Sequence, residues 1–439
     1  MRRLLAVPAV VLAVIIAVVF STAAAPWPTN HGDNHRSGWY PSGTKFSHLN
    51  TAWAKTLDGA VYGSPIIAGP YVIAATENNT VYEFNATTGA LRWSHHLLAP
   101  APTSALACAG NISPSGITGT PAFDAKTNRI FVVTNSVNAQ FGAHHEFFGL
   151  NASTGRVEID RRVMVPGQAE NAEQQRGALA VAGGNVYIPF GGLAGDCGQY
   201  KGAVISLKAS GATGGTAWVV PTARMGGIWA PGGPVVLADG SVLVAIGNGN
   251  STSGAYDGSD SITRISPTSQ RLDFFAPSSW ASDNASDLDL GSMTPALTAS
   301  GFVLQAGKSG TGYVVRASHL GGVGGQVSTG PLCRAFGESA VTGNTVYMPC
   351  TDGLSRVEVS AQGTFTRVWH LGSVTSSPVA GNGALYALAG SNLVAISGSG
   401  VQLGSIALGS STTRFATPAL NGDKVFVGTV SGLVAVRVR

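Results

Sequence analysis

The sequence predicts an all-β fold: an eight-bladed β-propeller of four-stranded antiparallel blades, its ring closed by a strand from the N-terminal end. Three observations carry that expectation. A four-strand unit recurs along the chain at a spacing of roughly 40 to 60 residues, the range of propeller blades with loop insertions. Charged residues make up 11% of the chain against 59 glycines, a composition that suits short strands joined by many turns. The two ends are complementary fragments: residues 51–57 (TAWAKTL) read as a lone fourth strand, whereas residues 415–438 supply three strands and stop. Joined, they make one blade and leave no open sheet edge.

The first unit, residues 63–97 (GSPIIAGPYVIAATENNTVYEFNATTGALRWSHHL), sets the pattern. Its strands at 65–68, 71–76, 80–85 and 91–97 are separated by Gly69-Pro70, Glu77-Asn78-Asn79 and Thr87-Thr88-Gly89, each with turn chemistry. One such meander cannot bury both faces and needs copies beside it. Further units fall at 119–163, 176–221, 229–275, 291–330, 336–371 and 376–408. A seven-bladed ring remains the alternative, because the fifth unit (GSMTPALTASGFVLQAGKSGTGYVVRA) has a weak fourth strand.

Ahead of the propeller, residues 1–25 combine Arg2-Arg3, the apolar run 4–20 and small residues at 21–25. They read as a signal peptide or, uncleaved, an anchor. Residues 26–50 form a polar, aromatic extension without period, and 51–439 the propeller. The expected location is secreted, periplasmic or cell-surface. The net charge of +4 is diffuse, with no Lys/Arg run, which argues against nucleic acid as a partner. Membrane contact is expected only through residues 4–20, and the protein is expected to be a monomer.

Loop lengths sort by face. First-to-second and third-to-fourth turns lie on one face and are short. Second-to-third loops and inter-blade connections lie on the other and hold the insertions, at 135–145, 191–201, 247–260, 98–118, 164–175, 222–228, 276–290 and 331–337. Long loops gathered on a rigid scaffold favour binding, so a protein, glycan or small ligand is expected on that face. All four cysteines fall there. Of the three pairings that four cysteines allow, Cys108–Cys197 and Cys333–Cys350 are chosen, because each joins loops of this face in nearby blades.

Residues at the starts of inner strands line the channel mouth, which places Arg176, Trp229, Glu338 and Arg414 there, with Asp289 close behind. Two arginines and a carboxylate could hold an anionic ligand or bridge blades as a buried ion network. The loop SDNASDLDLG brings Asp283, Asp287 and Asp289 together, and Asp257 and Asp260 lie in another loop of the same face. Such oxygens suit Ca2+, although neither stretch has the order of an EF-hand. His95-His96 lies in an outer strand, where neighbours face opposite sides; His144-His145, at the end of an insertion, is the better metal candidate.

The segments FNATTGALRW (84–93), LNASTGRVEI (150–159) and LKASGATGGTAW (207–218) resemble the tryptophan-docking repeat of the quinoprotein dehydrogenase-like, or PQQ-repeat, β-propellers. Ser-Pro or Thr-Pro before inner strands (Pro65, Pro121, Pro295, Pro378, Pro418) fits the same superfamily. The resemblance spans about residues 50–438 and implies that Trp53, Trp93, Trp218 and Trp369 pack between blades. The motif is degenerate: Asn85 and Asn151 stand at the usual Asp, and Ile159 and Phe274 replace Trp. For the catalytic relatives the resemblance implies pyrroloquinoline quinone (PQQ) at the channel mouth, between a Trp and a disulfide of adjacent cysteines, with Ca2+ and a catalytic Asp alongside. Here Trp229 is the candidate floor and Asp287 or Asp289 the candidate base, but no adjacent cysteine pair exists. The expected function is therefore a binding or scaffold module acting through the long-loop face without bound quinone. A PQQ- and Ca2+-dependent dehydrogenase of alcohols or sugars is the alternative.

Overall fold

The computed structural model describes residues 27–42, 45–372, 374–413 and 415–439. The expected leader (1–25) and the candidate Arg414 lie outside the described residues. Eight antiparallel blades are present. Blade 1 takes strands Ile66–Ala68, Tyr71–Ala75, Thr80–Asn85 and Leu91–His96, as the turn chemistry of the first unit predicts. The ring closes as expected: the strand Leu49–Thr56 pairs antiparallel with Gly432–Val438, outside Lys424–Thr429 and Ala419–Asn421.

The fifth unit is a full blade, which settles the count at eight. Its fourth strand, Ser328–Pro331, pairs with Thr311–Arg316. The Gly-rich approach to it breaks away at Gly322–Val323 to run parallel with the outer strand of blade 4, and this detour makes the blade weak in sequence. Residues 135–145 are not an open loop: Arg129–Asn138 and Gly142–Asn151 form one long hairpin. His144 and His145 are therefore buried neighbours on a strand, facing opposite sides. His145 packs edge-on against Phe190, at 5.2 Å between ring centroids.

Tryptophans of outer strands join the blades. The Trp53 indole N–H donates to Ala86 O at 3.3 Å, and that of Trp93 donates to Ala152 O at 3.1 Å. Each ring lies on the Thr-Gly turn of the next blade, where a Cβ on Gly89 or Gly155 would stand 2.7 or 2.6 Å from ring carbons. Both glycines also have positive φ, so the turn and the docking demand the same residue. Ile159, at a Trp position, contacts Gly211 in the equivalent way.

The N-terminal extension is part of the fold. Residues 27–40 thread the channel from the short-turn side and bond to inner strands. Ile67 N–H donates to Trp27 O, Phe123 N–H to Pro28 O, Val236 N–H to Asn34 O, Val341 N–H to Ser37 O and Ala380 N–H to Gly38 O, all at 2.7–2.8 Å. The Asn34 side chain donates to Val181 O at 2.8 Å, and Tyr40 Oη accepts from Gly422 N–H at 2.7 Å. A channel of exposed strand edges would leave these groups unpaired; the segment satisfies them.

Candidate functional site

The segment closes the channel with a polar core. Arg36 is 2% exposed and donates to Thr29 Oγ1 at 2.7 Å and Leu179 O at 3.0 Å. Glu338 faces this plug and not the solvent: Asn30 Nδ2 donates to it at 2.5 Å, and His31 Nε2 stands 3.4 Å away. Burial pushes the Glu338 carboxyl up to about 8 despite the Arg36 charge, and holds His31 neutral, near 3. Glu338 thus lies at the floor of the channel, against the N-terminal segment.

Above the plug, the long-loop end is covered by an aromatic platform. Trp229, Phe336 and Phe415 come from the connections before blades 4, 6 and 8. The Trp229 ring lies 6.3 Å from each phenylalanine ring, tilted at 48° to Phe336 and 65° to Phe415. Trp229 and Phe415 meet across the channel. Beneath them a cavity of about 20 Å³, lined by Asn30, Tyr62, Arg176 and Phe415 among others, has room for one water. The channel is not a conduit. On the open side, a recess of about 310 Å³ between Phe336, Cys350, Thr351, Thr375 and Phe415 reaches the lower end of the size range for small-ligand sites.

Two cations rim the platform. The Arg176 guanidinium sits 4.7 Å from the Phe415 ring centroid, and Lys308 Nζ lies 5.8 Å from that of Trp229 and 6.0 Å from that of Phe336. Lys308 also pairs with both sequence-predicted carboxylates, at 2.7 Å from Asp287 Oδ1 and in contact with Asp289 Oδ2. Asp289 Oδ1 accepts from Asn248 N–H at 2.7 Å. A Cβ on Gly247 would fall 2.2 Å from Asp289 Oδ1 and 2.9 Å from Trp229 Nε1, so a glycine there lets carboxylate and indole approach one another. Burial raises the Asp289 carboxyl, opposed by Lys308; Asp260 beside it is raised further, by burial and then by Asp289. Across the mouth Glu77 accepts from Gly116 N–H at 2.6 Å and from Thr118 Oγ1 at 3.0 Å, and burial pushes it up to about 7.

The structure brings Trp229, Asp287, Asp289 and Arg176 to one mouth. It does not bring Asp283 there as a partner: Asp283 lies in the short helix Trp280–Ala285 and accepts from Ser279 Oγ at 2.6 Å. Among the described residues, the donor atoms of Asp283, Asp287 and Asp289 do not converge as a metal cluster. The Lys308 ammonium stands where a cation between Asp287 and Asp289 would sit. The one convergent group among the described residues, Cys350, Asp352 and His370, includes a sulfur already in a disulfide. Lys308, Phe336, Phe415 and Glu77 escape sequence reasoning, although both phenylalanines hold the inner-strand approach that points to Arg176.

The bonds Cys108–Cys197 and Cys333–Cys350 are formed as expected, with Cα atoms 5.7 and 5.8 Å apart. Cys350 lines the recess; no disulfide of adjacent cysteines covers the platform. The donors therefore match a planar anionic ring in part: an indole floor, two rim cations and a basic carboxylate fit a quinone, and the expected calcium set does not fit.

Residues 50–244 match the family model described as outer membrane protein assembly factor BamB. No curated protein sequence matches the chain. Among solved structures, the chain is similar to the quinohemoprotein alcohol dehydrogenase from Comamonas testosteroni, with 15% identity over 95% of this chain and 81% of that one and a TM-score of 0.73. A europium-containing methanol dehydrogenase is 14% identical over 94% and 98% of the two chains, with a TM-score of 0.71. BamB from Moraxella catarrhalis is 14% identical over 89% and 100%, with a TM-score of 0.61. At such identities these likenesses establish the fold.

Proposed function

Taking as premise that this chain is a quinoprotein dehydrogenase-like β-propeller of PQQ repeats, we propose that it binds a flat, anionic ligand of the quinone class on its Trp229 platform. In this reading it acts outside the cytoplasm as a dehydrogenase of alcohols or sugars. One observation carries the reading: a buried carboxylate, Asp289, is held by Lys308 beside a partly exposed indole at the long-loop end of the channel. Two disulfides support the extracytoplasmic location.

A bound quinone would supply the two-electron acceptor that the side chains lack. Trp229 would support its ring, and Arg176 and Lys308 would offset its negative charge. Asp289 would take the substrate hydroxyl proton. Burial makes that carboxylate more basic than in water, while Lys308 and the Asn248 amide keep it oriented. No step passes through calcium.

Calorimetric titration with PQQ tests the reading. Binding at micromolar concentration, lost in Trp229→Ala, is expected, and Asp289→Asn should keep binding but lose dye-coupled oxidation of an alcohol or sugar panel. Absence of binding heat would refute it. The second reading, a module that docks a protein on the long-loop face without quinone, is favoured by the BamB family match over residues 50–244; it would then stand alone.

A further inference from the structure

The plug bonds to the inner edges of seven blades. Its contacts run from blade 1 at Trp27 through blades 2, 3 and 4, then pass from Asn34 on blade 4 to Ser37 on blade 6, and end on blades 7 and 8. Blade 5 is skipped. Leu297 holds there the position that Ile67, Val236 and Val341 hold elsewhere: each pairs with the second residue from the start of the next strand or its equivalent. In blades 1, 2, 4, 6 and 7 the N–H at this position turns to the channel and donates to the plug, whereas blades 3 and 8 meet it through the carbonyls of Leu179 and Val181 and the Gly422 N–H. By the same register the Leu297 N–H and C=O face the channel together, and among the described residues neither has a partner in the plug.

The gap is a recess of about 600 Å³ on the short-turn face, walled by Trp39 and His35 of the plug, Leu297 and Ala299 of blade 5, and Thr342 and Gly343 of blade 6. Trp39 is 47% exposed, unlike its buried neighbour Tyr40. No Asp, Glu, Lys or Arg lines the recess.

We infer that this recess is a binding site for a neutral saccharide, separate from the quinone platform and independent of it. A pyranose ring has an apolar face that suits an exposed indole. Its hydroxyls both donate and accept, so they can satisfy the N–H and C=O of Leu297 and the Thr342 hydroxyl together. The uncharged lining favours neutral sugars, since a uronic acid or a phosphate would meet no cation. A peptide fits less well. Strand addition needs a run of unpaired main-chain groups, and the edge here is the two-residue strand Ala296–Leu297. The volume lies within the usual range for small-ligand sites.

The test is a titration of the full chain with neutral tetrasaccharides of glucose, mannose and xylose, read by indole fluorescence and calorimetry. At least one should bind with a dissociation constant below about 1 mM. Trp39→Ala should weaken it by about tenfold or more, and so should Ala299→Trp, a change at an exposed position that fills the recess and leaves the plug intact. PQQ binding should be unchanged in both variants. Absence of saccharide binding up to about 10 mM would overturn the inference. So would binding that survives Ala299→Trp, or a peptide that displaces the sugar and binds more tightly than it.

Discussion

Replacing Arg36 by Met should destabilise the whole ring. Arg36 is fully enclosed by the channel, and its guanidinium donates to Thr29 Oγ1, Asn30 O, Asp33 O and Leu179 O. Methionine has similar length but no donor, so these acceptors lose a partner where water cannot replace it. Breaking one side of a buried charged network costs about 3–5 kcal/mol. For roughly 400 ordered residues, an unfolding entropy of about 2.1 cal/mol/K per residue makes 1 kcal/mol worth about 1.2 °C. The melting temperature should therefore fall by about 4–6 °C. Arg36→Lys, which keeps charge but not the planar fork, should recover part of the loss. Scanning calorimetry gives the shift. Hydrogen exchange reports its origin, because the amides of Ile67, Val236 and Val341 donate to plug carbonyls and should lose protection first. An unchanged melting temperature with unchanged protection at those amides would show that the segment lies in the channel without bracing it.

Two further perturbations separate the forces that hold the blades. Burial pushes the Glu173 carboxyl up to about 9. A carboxyl raised on folding stabilises fully below its unfolded value near 4.3, and that contribution is lost as pH rises toward 9. Glu173→Gln should thus melt above the parent at pH 8 and with it at pH 4, and a gap of the same size at both would refute the assignment. The two disulfides close loops of different length, with sequence separations of 89 for Cys108–Cys197 and 17 for Cys333–Cys350. Chain entropy predicts losses of about 4.6 and 3.1 kcal/mol on removing them, and denaturant unfolding of the paired Cys→Ser variants should rank them in that order.

The blades were legible because their signals are local. Alternation, Gly-Pro and Thr-Gly turns and docking tryptophans all fall within some 35 residues, and the lone strand at 51–57 reveals ring closure by what it lacks. The plug is illegible for the opposite reason. Between Trp27 and Tyr40 successive residues answer to different blades, so no period forms, and partners lie as far off as Gly422. The place of Glu338 before an inner strand points to the mouth, yet it lies two residues deeper than Phe336 and meets Asn30 and His31. The three aspartates suggest a metal set because they are close in sequence; Lys308, in an ordinary-looking turn, supplies the cation for Asp287 and Asp289, and Asp283 turns to Ser279.

The mouth follows a simpler rule that aligning the repeats exposes. Three residues before the first proline of each inner strand, or its equivalent, stand Tyr62, Thr118, Arg176, Pro231, Ser292, Phe336, Thr375 and Phe415. Seven of these eight line the small cavity or the recess beside it, because each blade delivers that position to the same height in the ring. A repeated scaffold therefore offers eight equivalent sites and specifies none of their chemistry. Chemistry arises where the repeats differ: blade 4 inserts WAPGG to carry Trp229 inward, and blades 6 and 8 place rings opposite it. Asp289 reaches that indole only because residue 247 is a glycine. The same asymmetry operates at the other end, where a segment of fixed length crosses eight edges, bonds to seven and leaves blade 5 open.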